Sequence, residues 1–557
     1  MTSFLRAGAL ASLLVVVATG RAPQGPPAQT RDRAPAPTGT ASIIGRLTIA
    51  ENGQTTPVRR ARVTLDSSVL PRAPRVDTDT DGRFQFSNLP AGTYRVIAEK
   101  AGFVPLVSDP RRAFERPAPV ELKDGQSIQV EIPMQRGAAI EGVVVGDTGE
   151  PAMNVVVSAE RYAYDASGRH LTTVRQARTD DRGQYRVHTL PPGEYYLEAG
   201  PDPLDVIGTR TPGETRPVLA HTFYPGTPSA TEARIIPLSA GQNVSDIDIQ
   251  LTQLAVVDVR GRVRLSSNAP AKDMIFRVQR VGGPVGEVRG FMLPGSNEFE
   301  LPAVPPGEYW LMAVARPSPG APLEYAADRL TVASQNIADL VVATAKGASI
   351  AGQVEVDGGQ PSLPADLQVV AYESEYSLPA LTGPPAPVLD GRVDASGAFT
   401  FPSLFGPRLL RVDHLPPTWA IKNISLDGKD VSETVTDFQP GDSPHSVRIL
   451  ITPHTATVQG VVQDDAGQPA RRVRVVMFGT DERDWHARSR VIYAAETSDD
   501  GRFAIEGALG GECSIVAVPF LDDGSWTDAT TLRGLREKAS PVTLKAGETA
   551  SVTLKVR

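Results

Sequence analysis

A short pattern recurs along the chain at intervals of roughly a hundred residues. In its clearest form, a turn rich in Asp and Gly leads into an aromatic residue, and a second turn of the Pro-Pro-Gly type leads into tyrosine. Residues 78–96 and 179–195 carry both halves, and residues 297–309 carry the second half. Looser copies open at Ser396 and at Asp499. Because self-similarity at a fixed spacing marks a repeated structural unit, the pattern predicts an array of small domains.

Alternating apolar and polar residues flank every copy of this pattern. A segment with apolar residues on both sides of a glycine precedes each copy, and a last alternating segment follows it. Glycine inside a strand marks a bulge or the close approach of another backbone. Period-two alternation between turn residues gives about seven strands per copy, which predicts an antiparallel β-sandwich. The glycine-containing segments are residues 42–47, 139–145, 257–263, 349–354 and 456–462, and the last segments are residues 127–132, 244–251, 337–342, 446–451 and 550–556.

The repeat divides most of the chain into five predicted domains, which we call units 1 to 5. Helical periodicity is nearly absent, and residues 531–538 are the best local exception, predicted to form a short helix in a loop. The predicted boundaries are residues 41–135 for unit 1, 136–252 for unit 2, 253–344 for unit 3, 345–452 for unit 4 and 453–557 for unit 5.

Residues 1–22 have the pattern of an export signal. Arg6 is the only charge before an apolar core from Ala7 to Ala18, and small residues follow this core. The core is shorter than the roughly 20 apolar residues of a membrane span, so a signal peptide is predicted and a retained anchor is the alternative. Residues 23–40 are rich in Pro, Ala, Thr, Gln and Arg without a hydrophobic period, and they are predicted to be a disordered linker.

Charge and cysteine content narrow the function classes further. The net charge is −8 and no cluster of Lys and Arg stands out, so no nucleic-acid partner is expected. Cys513 is the only cysteine, so an exported protein of this sequence has no internal disulfide and its domains must hold by their cores. No later run of about 18 apolar residues occurs, so no integral membrane span is expected after signal removal.

The glycine-containing first strand, the Asp-x-x-Gly-x-Phe/Tyr hairpin and the Leu-Pro-Pro-Gly-x-Tyr turn resemble the carboxypeptidase regulatory-like domain. The resemblance covers nearly all of residues 41–557 and is strong in units 1, 2 and 5. It is looser in unit 3, which lacks the Asp-Gly turn, and in unit 4, where residues 404–407 read Leu-Phe-Gly-Pro. It implies five tandem immunoglobulin-like domains of the transthyretin type, close to starch-binding-like and CnaB-type folds. It also implies an exported bacterial protein of several units, and a fold far more than an activity.

The family name raises the question of a zinc carboxypeptidase, whose catalytic domain needs a His-x-x-Glu pair and a distant histidine. None of the seven histidines is followed by glutamate three residues later, and no Gly-x-Ser-x-Gly nucleophile motif occurs. Cys513 takes the place of Tyr195 and Tyr309 after the second turn, so we expect a small buried residue there. The chain is therefore predicted not to be an enzyme and to need no cofactor.

Two other kinds of site, a calcium site and a Lys–Asn crosslink, are compared with purely structural roles for the same segments. Asp77, Asp79 and Asp81 before Gly82 imitate the start of an EF-hand loop, but the twelfth position is Asn88 and strands flank the segment. We expect a solvated hairpin turn there, with weak calcium binding as the alternative. CnaB-type relatives can carry a Lys–Asn crosslink, but no core position of a first strand holds a lysine. Neither a metal site nor a crosslink is predicted.

Aromatic residues at positions that differ between units are the candidate ligand contacts. In the strand after the second turn, Tyr195 and Tyr309 are expected to face the core by alternation with the leucines that follow. Tyr196 and Trp310 then face outward, where unit 1 has Arg95. An exposed aromatic ring on a flat sandwich face is a common platform for a sugar ring.

Unit 5 adds two tryptophans outside the repeated pattern. Both lie in polar, loop-like insertions rich in aspartate. All of these rings either cover inter-domain contacts and neighbouring loops or contact a ligand. The candidate ligand-binding residues are Tyr196, Trp310, Trp485 and Trp526.

These patterns together predict an exported, non-catalytic β-sandwich array. Its expected location is the periplasm, the outer cell surface or the extracellular space. Its expected role is that of a scaffold or protein-interaction array with an unidentified protein partner. The alternative is polysaccharide binding through the exposed aromatic residues of one or more units.

Overall fold

The computed structural model describes residues 39–51, 54–104, 119–165, 168–201, 218–254, 256–268, 273–281, 288–318, 321–359, 362–374, 390–439 and 444–557. Nearly all regular structure in these residues is β strand, which confirms the predicted all-β class. The predicted signal peptide and most of the predicted linker lie outside the described residues. The described helices are α1 (Ala529–Arg536) and the 3₁₀ turns Asp357–Gly359, Glu482–Asp484 and Ser525–Thr527. None of these helices has the length and hydropathy that crossing a membrane requires.

Unit 1 is a sandwich of two sheets, which we call sheet A and sheet B in every unit. Its strands are β1 (Ala41–Glu51), β2 (Gln54–Pro57), β3 (Arg62–Asp66), β4 (Arg75–Asp77), β5 (Arg83–Leu89), β6 (Gly92–Glu99), β7 (Val120–Leu122) and β8 (Ser127–Met134). Sheet A contains the first strand, β1, which pairs with β2 and β5 on one side and with the last strand, β8, on the other. Sheet B has the order β4-β3-β6-β7, and β6 is the strand that follows the second turn.

Unit 2 repeats this arrangement with a more divided chain. Its strands are β9 (Ala138–Val145), β10 (Val156–Asp165), β11 (Gly168–Arg178), β12 (Gln184–Leu190), β13 (Gly193–Gly200), β14 (Val218–Leu219), β15 (Thr222–Phe223), β16 (Ile236–Leu238), β17 (Asn243–Val244), β18 (Ile249–Gln250) and β19 (Gln253–Leu254). Sheet A is built on β9 with β12, β17 and β18, and sheet B has the order β11-β10-β13-β15.

Unit 3 joins its two sheets into one continuous sheet. Its strands are β20 (Val257–Arg264), β21 (Asp273–Arg280), β22 (Val288–Met292), β23 (Glu298–Val304), β24 (Gly307–Arg316), β25 (Glu324–Val332), β26 (Ile337–Ala343) and the short β27 (Ala345–Lys346). The order is β26-β20-β23-β22-β21-β24-β25-β27. Because β22 pairs with β21 on one side and with β23 on the other, it connects sheet B to sheet A.

Units 4 and 5 return to two separate sheets. Unit 4 contains β28 (Ala348–Val356), β29 (Gln368–Glu373), β30 (Asp390–Arg392), β31 (Ala398–Leu404), β32 (Gly406–Asp413), β33 (Ala420–Leu426), β34 (Lys429–Asp430), β35 (Thr436–Phe438) and β36 (His445–Thr452). Unit 5 contains β37 (Ala456–Gln463), β38 (Arg474–Gly479), β39 (Ile492–Glu496), β40 (Arg502–Ala508), β41 (Gly511–Val518), β42 (Ser540–Leu544) and β43 (Thr549–Lys555). Sheet B is β30-β29-β32-β35 in unit 4 and β39-β38-β41-β42 in unit 5.

The buried residues of the sandwiches form five large hydrophobic clusters in the described part of the chain. Each cluster lies inside one predicted unit, since the alternation of every strand sends one set of side chains inward. The clusters span residues 41–134, 138–251, 257–342, 348–451 and 456–554. The residue numbers at which one domain ends and the next begins stay a prediction.

In every unit the first and last strands run parallel, a feature that alternation alone does not reveal. The pairs are β1 with β8, β9 with β17 and β18, β20 with β26, β28 with β36, and β37 with β43. The first-strand glycine lies where this pairing brings two backbones together. A Cβ on Gly460 would lie 2.1 Å from the carbonyl oxygen of Val552, and one on Gly142 would lie 2.1 Å from that of Ile247. The predicted close approach of another backbone is therefore confirmed at both glycines.

The tyrosine after the second turn is buried in units 1 to 3, as alternation predicts. The hydroxyls of Tyr94, Tyr195 and Tyr309 donate hydrogen bonds of 2.6, 2.7 and 2.9 Å to the carbonyl of the proline four residues earlier. Arg408 takes this place in unit 4, and its Nε donates to the carbonyl oxygen of Phe405 over 2.9 Å. Cys513 takes it in unit 5 and is 6% exposed, which confirms the expected buried residue. The repeated pattern is therefore a structural corner that closes each sandwich.

Candidate functional site at the contact between units 2 and 5

The β10–β11 hairpin of unit 2 is longer than its equivalents in other units. Its strands have ten and eleven residues, whereas β3 and β4 have five and three. β10 pairs with β13 only from Val156 to Glu160, so the rest of the hairpin projects beyond sheet B. Arg161, Tyr162 and Tyr164 lie on this projecting part. Because no other unit shows such an extension among the described residues, it is a candidate for a specific role.

Unit 5 covers the outer face of its own sheet B with two insertions. Val476 and Phe478 of β38 point away from the sandwich core and form a second hydrophobic cluster with Leu532 and Leu535 of α1 and with Trp485. The predicted helix at residues 531–538 is thus present, starting two residues earlier, and it is a lid on this face. The segment between β41 and α1 leads the chain from the covered face toward unit 2.

The two unit-specific features meet, although they are far apart in sequence. Nη2 of Arg161 lies 3.2 Å from Oδ1 of Asp522, and the arginine side chain is only 13% exposed. The same guanidinium lies 5.6 Å above the ring of Tyr195 and donates to the carbonyl of Pro192 over 3.5 Å. A single arginine therefore connects the second turn of unit 2 to the insertion of unit 5.

On the unit 5 side, the backbone at Gly524 approaches the backbone of unit 2 closely. Gly524 has a φ of 77°, in the left-handed region, and a Cβ there would lie 2.6 Å from the carbonyl oxygen of Tyr164. Glycine is required both by the backbone angle and by the lack of space. Burial, with the nearby carboxylates of Asp528 and Asp522, raises the pKa of the Tyr164 hydroxyl. This tyrosine is therefore a neutral group at the interface at any ordinary pH.

An aromatic pair lies beside this contact on the outer face of unit 2. The rings of Tyr162 and Tyr196 meet edge to face with centroids 5.2 Å apart. The guanidinium of Arg169 lies 3.6 Å from the centroid of the Tyr162 ring. The outward direction predicted for Tyr196 is confirmed, and its ring is partly exposed. Such pairs favour a fixed arrangement of the rings.

A group of titratable side chains continues this outer face. Glu160 is 8% exposed, and burial, together with the charge of Glu198, raises its pKa to about 7. The hydroxyl of Thr173 donates to Glu160 over 3.4 Å. Nδ1 of His221 lies 3.3 Å from Oε1 of Glu198. Burial opposes the charged imidazole, but the hydrogen bond and charge of Glu198 outweigh it and raise the pKa of His221.

This group predicts a pH dependence for unit 2. The folded pKa of Glu160 lies above its usual 4.5, so stability falls as the pH rises from about 4.5 to 7. We expect Glu160→Gln to raise the free energy of unfolding of unit 2 by roughly 3 kcal/mol at pH 8, since one pKa unit is about 1.4 kcal/mol. At pH 4 the variant and the wild type should be nearly equal. Hydrogen exchange of the β10 and β13 amides across this pH range measures the effect.

The matched control for this prediction is Glu194→Gln, because Glu194 is exposed on the same sheet. It should shift the free energy of unfolding by less than about 0.5 kcal/mol at both pH values. Equal stability of wild type and Glu160→Gln at pH 8 would contradict the raised pKa of Glu160, because no buried charge would then be removed by the substitution.

Trp310, the outward-facing aromatic residue of unit 3, has one face of its ring covered by another side chain. Trp310 is partly exposed, as predicted, and the guanidinium of Arg329 lies 3.8 Å from the centroid of its ring. A stacked guanidinium shields that face of the indole from a sugar ring. Trp310 lies in a different unit from the contact described above and is not part of it.

The two tryptophans of unit 5 have different surroundings. Trp485 is 4% exposed, and its Nε1 donates to the carbonyl of Gly479 over 2.7 Å, so the structure places it among the core residues of the second cluster. Trp526 is partly buried beneath the guanidinium of Arg474, which lies 4.5 Å from its ring centroid. Trp526 follows Gly524 by two residues and therefore lies next to the contact with unit 2. Ligand binding by any of these side chains stays a prediction.

Successive units are also joined by buried polar and aromatic contacts, which sequence reasoning missed. Tyr325 of unit 3 and Phe405 of unit 4 stack with centroids 5.3 Å apart and planes 5° from parallel. Tyr325 lies in an alternating strand and Phe405 lies in a turn between two strands, and segments of both kinds occur in every unit. No local pattern could identify the partner of either ring, since the partner lies in another unit.

The joint between units 4 and 5 is built on one carboxylate. Glu433 lies 2.8 Å from Nη2 of Arg411, 2.7 Å from Nε of Arg490 and 3.0 Å from Nε2 of His486. Burial disfavours the charge of Glu433, but the hydrogen bond from His486 and the two arginines outweigh it and lower the pKa of Glu433. The guanidinium of Arg488 lies 3.1 Å from the ring centroid of Tyr372 in unit 4. Unit 5 is therefore held to unit 4 by charge as well as by packing.

The aspartate turn of unit 1 has the geometry of a hairpin turn. Oδ1 of Asp79 accepts hydrogen bonds from the backbone N–H groups of Asp81 and Arg83 over 2.9 and 2.7 Å. Asp180 makes the same two bonds in unit 2. In the part of the chain that the structure describes, no three His, Cys, Asp or Glu residues are grouped to hold a metal ion. Burial raises the pKa of the Cys513 thiol, which keeps it protonated.

Comparisons with solved structures yield weak likenesses. The Bacillus anthracis TIE protein aligns with 55% of this chain at 16% identity and a TM-score of 0.16, and the alignment covers 51% of that protein. The minor pilin GBS52 of Streptococcus agalactiae aligns with 39% at 15% identity and a TM-score of 0.22, covering 97% of that chain. A Pseudomonas aeruginosa protein with a proposed carbohydrate-binding role aligns with 17% at 16% identity and a TM-score of 0.14, covering 90% of that chain. TM-scores this low carry no argument about function.

Comparison with protein families identifies one part of the chain. No curated protein matches the sequence significantly. Residues 42–135 match the family model of the carboxypeptidase regulatory-like domain. This range coincides with nearly all of unit 1, and its strands, turns and buried Tyr94 are those that carried the resemblance. Unit 1 is therefore similar to the carboxypeptidase regulatory-like domain over nearly its whole length.

Proposed function

We propose that this chain is an exported, non-catalytic scaffold whose sandwich units are held in a fixed arrangement and meet protein partners. The observation that carries the proposal is the convergence of unit-specific side chains on contacts between units. In the part of the chain that the structure describes, the long hairpin of unit 2 and the insertions of unit 5 have no equivalents in the other units, and Arg161 and Asp522 connect them.

The chemistry of the joints supports a rigid array. Breaking a buried ion pair leaves an uncompensated charge away from water, which costs several kcal/mol. Glu433 of unit 4 and Arg490 of unit 5 have side chains only 10% and 15% exposed, so separation of the two units breaks such a pair. A fixed spacing of binding surfaces is what a scaffold needs, since it places partners at defined distances.

Export is supported by the pattern of residues 1–22. To test it, the full chain is produced in a bacterial host and the cell fractions are analysed. We expect the protein in the periplasm or the medium, cut near residue 22. Retention of the uncut chain in the cytosol would overturn this part of the proposal.

The scaffold role is tested by cross-linking the exported full chain to its neighbours in the producing cell. We expect a protein partner whose cross-linking falls severalfold in Asp522→Arg, because the charge reversal repels Arg161 and separates units 2 and 5. Asp500→Arg is the matched control, since Asp500 is an exposed aspartate of unit 5 at a hairpin turn. Equal cross-linking in both variants counts against the scaffold role. Hydrolysis of a peptide or ester library by stringently purified protein would overturn the non-catalytic part.

The alternative function, polysaccharide binding, is favoured by the outward, partly exposed rings of Tyr196 and Trp310. If it is correct, the full chain binds a glycan on an array, and Tyr196→Ala or Trp310→Ala loses this binding. Tyr196→Phe and Trp310→Phe are the controls, because a phenylalanine ring keeps much of the stacking surface. A chain that binds no polysaccharide, and that cross-links to a protein, leaves the scaffold as the function.

A further inference from the structure

Unit 3 has an unusually long strand at one edge of sheet B. β25 has nine residues, whereas the strand in this place has three residues in unit 1, three in unit 4 and five in unit 5. β25 pairs with β24 along its length, but its other side pairs with β27 only at Glu324 and Tyr325. Within the described residues, the backbone of residues 326–332 therefore has a free hydrogen-bonding edge.

The last strand of unit 3, β26, forms a second free edge at the sheet A end of the continuous sheet. Among the described residues β26 pairs with β20 alone, whereas its equivalent in unit 4, β36, is covered by β33. A cleft of about 270 Å³ lies between the two edges. Its apolar lining includes Leu311, Leu330, Leu340 and Val342, and its charged lining residues are Asp328 and Arg329. The guanidinium of Arg329 is stacked on Trp310. The sandwich is thus open along one side.

Asp328 occupies an inward position of β25 yet remains exposed. Alternation places it on the same side as Ala326 and Leu330, which are 4% and 6% exposed. Its partial burial in the cleft raises the pKa of its carboxyl. A charge that points inward at an edge prevents pairing with an ordinary apolar strand. The same charge favours pairing with a strand that carries a cation at the facing position.

We propose that this edge binds an extended segment of another polypeptide, which adds a strand to β25 and places a lysine or arginine against Asp328. Apolar residues two positions before and after that cation then face Ala326 and Leu330, which flank Asp328 on the same side of β25. Backbone hydrogen bonds supply affinity in such strand addition, and the side-chain positions supply specificity. The inference rests on the proposed interaction role and makes it specific to one edge and one partner chemistry.

The test uses two synthetic seven-residue peptides with the full chain. One alternates threonine and valine with a central lysine (Thr-Val-Thr-Lys-Thr-Val-Thr), and the other has glutamate at the centre. We expect the lysine peptide to bind at least about tenfold more tightly than the glutamate peptide. Hydrogen exchange should show new protection of residues 326–332. Asp328→Asn should remove most of the preference, and Asp328→Lys should reverse it.

Asp437→Asn in the three-residue β35 of unit 4 is the matched control and should leave peptide binding unchanged. Equal binding of both peptides, or protection at another strand edge only, would overturn the proposal. Self-association of the chain that is lost in Asp328→Asn would also overturn it, because the occupant would then be a second copy. If neither peptide binds, the strand-addition proposal is wrong, but the scaffold role is not affected. The cross-linking experiment tests that role separately, at units 2 and 5.

Discussion

Replacing Glu433 with alanine should cost about 3–5 kcal/mol, because it leaves Arg411 and Arg490 buried without their counter-charge. Both guanidinium groups lie at the joint of units 4 and 5, so the loss should weaken the joint before either sandwich core. Hydrogen exchange of residues 406–413 and 486–493 measures the free energy of opening segment by segment. This is preferable to one global melting curve, since an array of several domains does not unfold in two states.

Glu482→Ala is the matched control for this experiment. Glu482 also contacts two arginines, Arg533 at 3.0 Å and Arg536 at 2.9 Å, but its side chain is 42% exposed. An exposed ion pair of this kind contributes only about 0–1 kcal/mol. If the two alanine variants open with the same free energy, the Glu433 group does not act as a buried joint.

Replacing Trp485 with alanine should be equally costly, at about 3–5 kcal/mol. The indole is 4% exposed, meets Phe478 edge to face at 5.3 Å, and lies in the cluster that fixes α1 on sheet B. Its removal leaves a large cavity and an unpaired carbonyl at Gly479. We expect α1 and the adjoining insertion to lose hydrogen-exchange protection, while the main core of unit 5 keeps it.

Trp485→Phe separates packing from hydrogen bonding, because it retains most of the buried ring and loses the indole N–H. It should cost about 1–2 kcal/mol. A change below about 1 kcal/mol in Trp485→Ala, with unaltered protection of α1, would contradict the core role. Any loss of glycan binding in Trp485→Ala therefore has to be separated from loss of structure. Trp526→Ala, in the other insertion, is the cleaner probe of ligand binding by unit 5.

Much of the fold could be predicted because the repeated residues meet local requirements of turn conformation and strand alternation. A tight turn needs glycine, and strand alternation turns Tyr195 and Tyr309 inward whatever lies elsewhere in the chain. The same reasoning placed Cys513 in a core. The parallel pairing of the first and last strands was not accessible in this way, since alternation is the same in parallel and antiparallel ladders.

The candidate site could be predicted only in part. The sequence predicts Tyr196 and Trp526 as unit-specific aromatic residues, and both lie near the contact of units 2 and 5. The ion pair beside them could not be predicted, because Arg161 and Asp522 are separated by 361 positions and no local period connects them. Glu433 looks like an ordinary surface charge for the same reason. Contacts between units depend on how whole sandwiches meet, which no short pattern contains.

The parallel pairing of first and last strands determines how each sandwich responds to a pulling force. When the ends of a unit are pulled apart, two parallel terminal strands slide along each other, and their hydrogen bonds are loaded in shear all at once. In unit 1 the pairing is continuous from Ser42 to Ile49, and in unit 4 from Ile350 to Val356. In unit 2 the paired residues of the first strand fall into two stretches, 139–140 and 144–145, so we expect unit 2 to be the first of these three sandwiches to yield under force.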